Sequence, residues 1–205
     1  MAFSVSGRVF WILLAASVPF SACGTRGPYL NPVTPGTDSA DRSNEVVVEI
    51  KPVDTSGFQN PERERLGIDL SAYYTAFEVT IRNGTTRAVD IDGRDAALVD
   101  DDQKTYTVLS AEESLDYYHS GGLSGEKTVV IPKSLAIAKN EMEKIRDLRL
   151  KSGEITPGGT GNGILLFRKV PADKCHQVSL SLRGVRISGE DRNREFGFAF
   201  SCPGS

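Results

Sequence analysis

From Glu45 onward, apolar and polar residues alternate along the chain in short runs separated by turn formers. "EVVVEIK" (Glu45 to Lys51) stops at Pro52, and "YYTAFEVTIRNGTT" places Phe77, Val79 and Ile81 on one face before Asn83-Gly84 supplies turn chemistry. "RAVDID" ends at Gly93, "AALVD" meets Asp101-Asp102, and "KTYTVL" returns. Further along, "KTVVI" stops at Pro132 and "GILLFRKV" at Pro171. A period of two puts every second side chain on one face, so each run predicts a strand with one buried side. The last two runs are the clearest. Val178, Leu180 and Leu182 alternate with Gln177, Ser179 and Ser181, then Phe196, Phe198 and Phe200 alternate with small or polar residues. "SGEDRN" between them predicts a hairpin turn. About nine short strands without alternating helices predict an all-β sandwich rather than a parallel α/β sheet.

Two stretches change period. Ser110-Ala-Glu-Glu113 has capping-box spacing and opens "SAEESLDYYH". "KSLAIAKNEMEKIRDLRLKSG" repeats Leu135, Ala138, Met142 and Ile145 at three-four spacing, with Asp147 and Lys151 four apart on the polar side. Together they predict a helical insertion over about 110–152, laid on the surface of the sandwich. Tyr117, Tyr118 and His119 lead into a Gly/Ser-rich stretch. Large amphipathic rings beside pliable residues make good contact groups, so these three are candidate binding residues. The simpler reading has the two tyrosines closing the end of the sandwich from the helix face.

The front of the chain reads differently. Residues 1–22 hold no acid and one base, Arg8, followed by the apolar run "VFWILLAASVPF". A membrane-spanning helix needs roughly 18–20 apolar residues, and this run is shorter, with the length of a signal-peptide core. Cutting after Ala22 by the ordinary peptidase would leave bulky Phe20 in the third place before the cut. Phe20-Ser21-Ala22-Cys23 instead resembles the lipobox of bacterial lipoproteins, with Phe20 where leucine is commonest. That resemblance implies that Cys23 receives diacylglycerol and becomes the mature N-terminus, anchoring the chain to a membrane. Gly24, where inner-membrane lipoproteins of Gram-negative cells commonly carry Asp, resembles an outer-membrane sorting pattern. The Pro/Gly-rich stretch after it predicts a tether over 23–43, with the folded domain over 44–205.

Export also accounts for the other cysteines. The predicted final hairpin brings Cys175 and Cys202 together near its open end, and an oxidising compartment permits a disulfide between them. A redox or metal-binding pair would want Cys-x-x-Cys spacing or a His/Cys cluster, and neither is present.

Residues Ala72 to Leu109 and Ile155 to Phe167 resemble the immunoglobulin-like, telokin-like domains of bacterial and archaeal lipoproteins. The shared motifs are Asn83-Gly84-Thr85, Leu98 with Asp100 and Tyr106, and Pro157-Gly158 through Gly163 to Phe167. The resemblance covers about half of the mature chain and implies an immunoglobulin-like β-sandwich, with a short helical insertion as this chain's departure from it. It implies no activity.

Composition and motifs narrow the chemistry. The chain of 205 residues is 39% hydrophobic and 25% charged with net charge −3, and its charges are interspersed. No basic patch points to nucleic acid. "GGLSGEKT" lacks the glycine before lysine that a phosphate loop needs, and "GGTGNG" has the wrong order for a dinucleotide fingerprint. Asp90, Asp92, Asp95, Asp100, Asp101 and Asp102 lack EF-hand spacing. His119 and His176 form no metal pair, so no metal or cofactor is expected. The expectation is a lipid-anchored envelope protein with a non-catalytic binding or scaffolding sandwich and an envelope protein as partner. The alternative is an extracytoplasmic enzyme whose site is dispersed in sequence.

Overall fold

The computed structural model describes residues 30–32, 46–57, 59–120, 135–171 and 175–202. The expected signal peptide, Cys23, most of the expected tether and the expected strand at 127–131 lie outside these residues.

The described elements in chain order are β1 (Asn31–Pro32), β2 (Val46–Pro52), α1 (Pro61–Leu66), β3 (Tyr74–Asn83), β4 (Val89–Ile91), β5 (Ala96–Asp100) and β6 (Thr105–Thr107). Then come α2 (Ala111–His119), α3 (Leu135–Leu148), β7 (Gly153–Ile155), β8 (Thr160–Arg168), β9 (Gln177–Ile187) and β10 (Arg194–Ser201). They build two antiparallel sheets. One runs β1-β10-β9-β4-β7, and β5 and β6 join it because the long β9 splits its far edge between two partners. Val178 to Leu182 face β5, and Val185 to Ile187 face β4. The other sheet is β2-β3-β8. The chain is an all-β sandwich.

The alternating residues meet between the sheets. Phe77 of β3 lies edge-on to Phe167 of β8 with centroids 6.0 Å apart, and 5.0 Å from Phe200 of β10 in the facing sheet. Val79, Ile81, Leu98, Leu180, Leu182 and Phe196 fill the same core. A second core lies on the outer face of the three-stranded sheet. There Tyr74, Ala76, Ile164 and Leu166 pack under the helices, against Leu66, Tyr117, Tyr118 and Ile145 among others. Tyr74–Phe77 and Ile164–Phe167 are therefore buried on both faces, which is why both stretches read as apolar runs instead of alternating.

Three features depart from the sequence expectations. The domain does not begin at 44: Leu30 is buried in the inter-sheet core, and Asn31 and Pro32 pair with Ser201 and Phe200. Part of the expected tether is thus folded, because β10 offers a free edge that a two-residue strand can join. Helix α1 was not expected, since six residues are too few to show a period. Its cues are local: Asn60 caps Glu62 and Arg63, Pro61 opens the helix, and Gly67 closes it in the left-handed region at φ 66. Strand β7, at three residues, is also below the length at which alternation can be read.

The motifs that resemble the immunoglobulin-like domains turn out to lock turns to one another. Asn83 is buried, and its Nδ2 donates to Arg87 O at 2.8 Å and Ile155 O at 2.9 Å. Its Oδ1 accepts from Thr85 N and Thr85 Oγ1. Its backbone holds the Pro157-Gly158 turn from both sides, accepting from Gly158 N and donating to Gly159 O. Likewise Asp100 accepts from Lys104 N and from the Tyr106 hydroxyl, pinning the β5–β6 hairpin. Asn83→Ala strands the buried Ile155 carbonyl and the Thr85 N–H, while Arg87 O keeps its bond from Thr85 Oγ1. We expect it to cost about 3 kcal/mol, seen as a lower urea midpoint with unchanged slope. A cost below about 1 kcal/mol would show that water replaces the amide.

Candidate functional site

The helical layer carries the site with the richest chemistry, a polar cleft of about 250 Å³ between α1 and α3. Asn60, Arg63, Glu64, Asp69 and Glu141 line it. Its floor is fixed by the left-handed turn after α1, where Lys144 Nζ donates to Gly67 O at 2.9 Å and ties α3 to that turn. On one side Arg63 pairs with Asp69 at 3.3 Å. The other oxygen of Asp69 accepts from Thr55 Oγ1 at 2.9 Å and from Ala72 N. Thr55 is wholly buried and also accepts from Ser71 N, so Asp69 is held by a rigid loop.

On the other side the Tyr118 hydroxyl hydrogen-bonds to the Glu141 carboxylate. The Tyr73 ring lies against Tyr118 at 4.7 Å. Burial pushes the Glu141 carboxyl above the usual carboxylate range, while Lys144 and Arg63 pull it back and Asp69 adds to the rise. Burial raises the Tyr73 hydroxyl as well, helped by Glu141 and Asp69. The cleft thus gathers the Arg63 guanidinium and the Glu64, Asp69 and Glu141 carboxylates within one small space, while the Asn60 amide is spent on capping α1 and its loop. Such a set recognises a polar group by paired hydrogen bonds. Among the described residues, no three His, Cys, Asp or Glu side chains gather as a metal-ligand set.

The expected binding residues divide. Tyr117 and Tyr118 are each only 6% exposed, as the simpler reading of the sequence has it: their rings are core. Tyr117 packs on Tyr74 at 5.7 Å, and its hydroxyl accepts from Lys169 N. The arginine of Arg168 lies over the same ring at 5.7 Å. Tyr118 meets the cleft-lining Glu141 through its hydroxyl. His119 is exposed at the end of α2, with its ring edge-on to Tyr118, and it does not line the cleft. Arg63, Asp69, Tyr73 and Glu141 were missed. They come from separate segments, and no spacing in the sequence connects them.

Cys175 and Cys202 are bonded, with Cα atoms 5.7 Å apart, just beyond the last paired residues, Gln177 and Ser201. Cys202 N donates to His176 O at 2.8 Å, and Asp101 accepts from the backbone N–H groups of His176 and Gln177. Those two hydrogen bonds lower the Asp101 carboxyl pKa. Asp92 similarly accepts from Arg94 N and Ser152 Oγ. These aspartates of the acidic hairpin ends, Asp92, Asp100 and Asp101, spend their oxygens on the fold.

No protein-family model and no curated protein matches the chain. It is similar to the solved structure of ycdA from Bacillus subtilis, a protein named as a candidate lipoprotein, at 14% identity and TM-score 0.40. That match covers 79% of this chain but 38% of ycdA, so the chain spans well under half of that protein's length. The yjhA protein from Bacillus subtilis is 12% identical at TM-score 0.40, covering 75% of this chain and 90% of that one. A functionally unknown protein from Listeria monocytogenes EGD-e is 16% identical at TM-score 0.33, covering 75% and 73%. Likenesses this distant add nothing to the argument from the residues.

Proposed function

We propose that this chain is an exported, lipid-anchored cell-envelope protein whose sandwich has a binding or scaffolding role and performs no catalysis. The observation that carries the reading is the buried Cys175–Cys202 bond, since such a bond persists in oxidising compartments and is rare in the cytosol. With those two cysteines paired, Cys23 is the third and last, and it stands at the end of the lipobox-like stretch. Acylation there anchors the domain, and Gly24 supports the outer membrane, facing the periplasm, in a Gram-negative cell. The partner is an envelope protein that presents a polar group to the cleft between α1 and α3.

The anchor is tested by mass spectrometry of the native protein, where an acylated Cys23 at the N-terminus is expected. Cys23→Ser should move the protein from the membrane pellet to the soluble fraction, because two or more acyl chains are what make such anchoring stable. A native chain with an unmodified Cys23 thiol overturns the reading. The cleft is tested separately. Deleting the insertion would uncover Tyr74, Ile164 and Leu166, so point substitutions are the better probe. A crosslinked envelope partner should be lost with Glu141→Ala and Arg63→Ala while thermal stability is kept. A partner retained by both variants places binding elsewhere.

A further inference from the structure

Among the described residues, strands β7 and β8 are the edges of their sheets, and both open onto one groove of about 440 Å³ on the side of the sandwich. The direction of their peptide groups follows from hydrogen-bond parity. Asp92 N donates to Gly184 O and Ser188 N to Ala88 O, so the even-numbered residues of β4 bond to β9. Val89 and Ile91 therefore bond to β7, through Ile155 and Gly153. Glu154, between them, turns its N–H and C=O away from β4.

The same count applies to β8. Asn83 N donates to Gly159 O, and Ile81 stands opposite Gly161, so odd-numbered residues bond to β3 and even-numbered ones point outward. Two of the outward residues are used: Ile164 O accepts from Leu150 N, and Leu166 O accepts from Leu109 N. Thr160 and Asn162 have no backbone partner among the described residues. They are two residues apart, about 6.8 Å along a strand, which is the repeat at which an extended peptide presents its own N–H and C=O pairs.

The groove matches an extended chain in its lining too. Buried Ile91, Leu150 and Ile155 line it together with exposed Asp147, Lys151 and Asn162. An added strand would set its alternate side chains against this mixed apolar and polar lining. Gly153 leaves open space beside the approach, with nothing within 4 Å of where a Cβ would stand.

We propose that this groove takes an extended stretch of a partner polypeptide, with alternating β-branched apolar and polar side chains, as an added strand on the Thr160–Asn162 edge of β8. Main-chain hydrogen bonds supply the affinity, and the mixed lining supplies the selection. Because Arg149–Leu150 covers β8 from Ile164 onward, any added strand, a second copy included, pairs only along Thr160–Asn162, and self-pairing is therefore the competing outcome of the test. The surface is separate from the cleft between α1 and α3, and the inference does not depend on the lipid anchor.

The test uses the full chain in detergent solution and a labelled, capped peptide of six alternating threonines and valines. Saturable fluorescence anisotropy is expected, with slowed amide hydrogen exchange confined to residues 151–163. Thr160→Pro removes a donor that points outward and takes no part in the β3 ladder, so the fold should survive, as should that of Asn162→Pro. Each should weaken binding about tenfold or more. Binding unchanged in folded proline variants overturns the proposal, as does protection elsewhere, no saturable binding, or sedimentation showing that this edge pairs two copies. Should a proline variant unfold, exchange in the unaltered chain decides.

Discussion

Phe77→Ala is expected to destabilise the protein by about 4 kcal/mol, the cost of deleting a fully buried aromatic ring and leaving its cavity. Phe77 has no exposed surface, sits in the middle strand of its sheet, and touches both its neighbour Phe167 and Phe200 of the facing sheet. Few side chains here bridge the two sheets so directly. For a domain of this size the loss translates to a fall in melting temperature of about 8–16 °C. Thermal unfolding followed by circular dichroism reads it. Ile137→Ala is the control, because Ile137 is 52% exposed, and it should change stability by less than about 0.5 kcal/mol. A Phe77→Ala loss below about 1.5 kcal/mol would mean that the sheets do not pack face to face at this ring.

Removing the disulfide is the second large effect. Replacing both Cys175 and Cys202 by alanine opens a loop spanning 27 residues of separation. The chain-entropy model gives about 3.6 kcal/mol for that closure. The bond sits where β9 begins and β10 ends, beside the Asp101 clamp on His176 and Gln177. The last hairpin and the β1 pairing with Phe200 and Ser201 should therefore loosen first, visible as faster hydrogen exchange across 196–201. The reading also makes a thiol count. The native acylated protein, unfolded without reductant, should show no free thiol, and two should appear on reduction. Three thiols before reduction would remove both the bond and the anchor.

Strand and hairpin positions were legible because a half-buried strand writes its burial in every second residue. Residues 177–182 of β9 and 195–201 of β10 are the clearest case: each outward position is polar or small, and each inward one is Val, Leu or Phe. The capping box was legible for a similar reason. Ser110 accepts from Glu113 N and the Glu113 carboxylate accepts from Ser110 N, all within four residues. The motif resemblance marked Asn83 and Pro157-Gly158 without saying that one holds the other, since the partners lie far apart in sequence.

The site was not legible. "YYH" at 117–119 admits both a contact and a core reading, because an aromatic pair beside glycines reads the same whether it faces solvent or a second core. What decides is whether another element covers it, and here Tyr74 lies against Tyr117 while Tyr73 lies against Tyr118. The cleft is built from Arg63, Asp69 and Glu141, and Glu141 stands more than seventy residues from the other two.

By itself the sequence determined where the longer strands lie and which face of each is apolar, where α2 begins, and which cysteines could pair. Those properties follow from neighbours two to four residues apart, so they survive in a linear reading. Only the tertiary structure decided that the helices form a third layer over β3 and β8, that Leu30 to Pro32 belong to the domain, and that β7 and β8 turn peptide groups without a partner among the described residues toward one groove. Each of these depends on which distant surface comes to rest on which, and burial of apolar area specifies that packing without leaving a period along the chain.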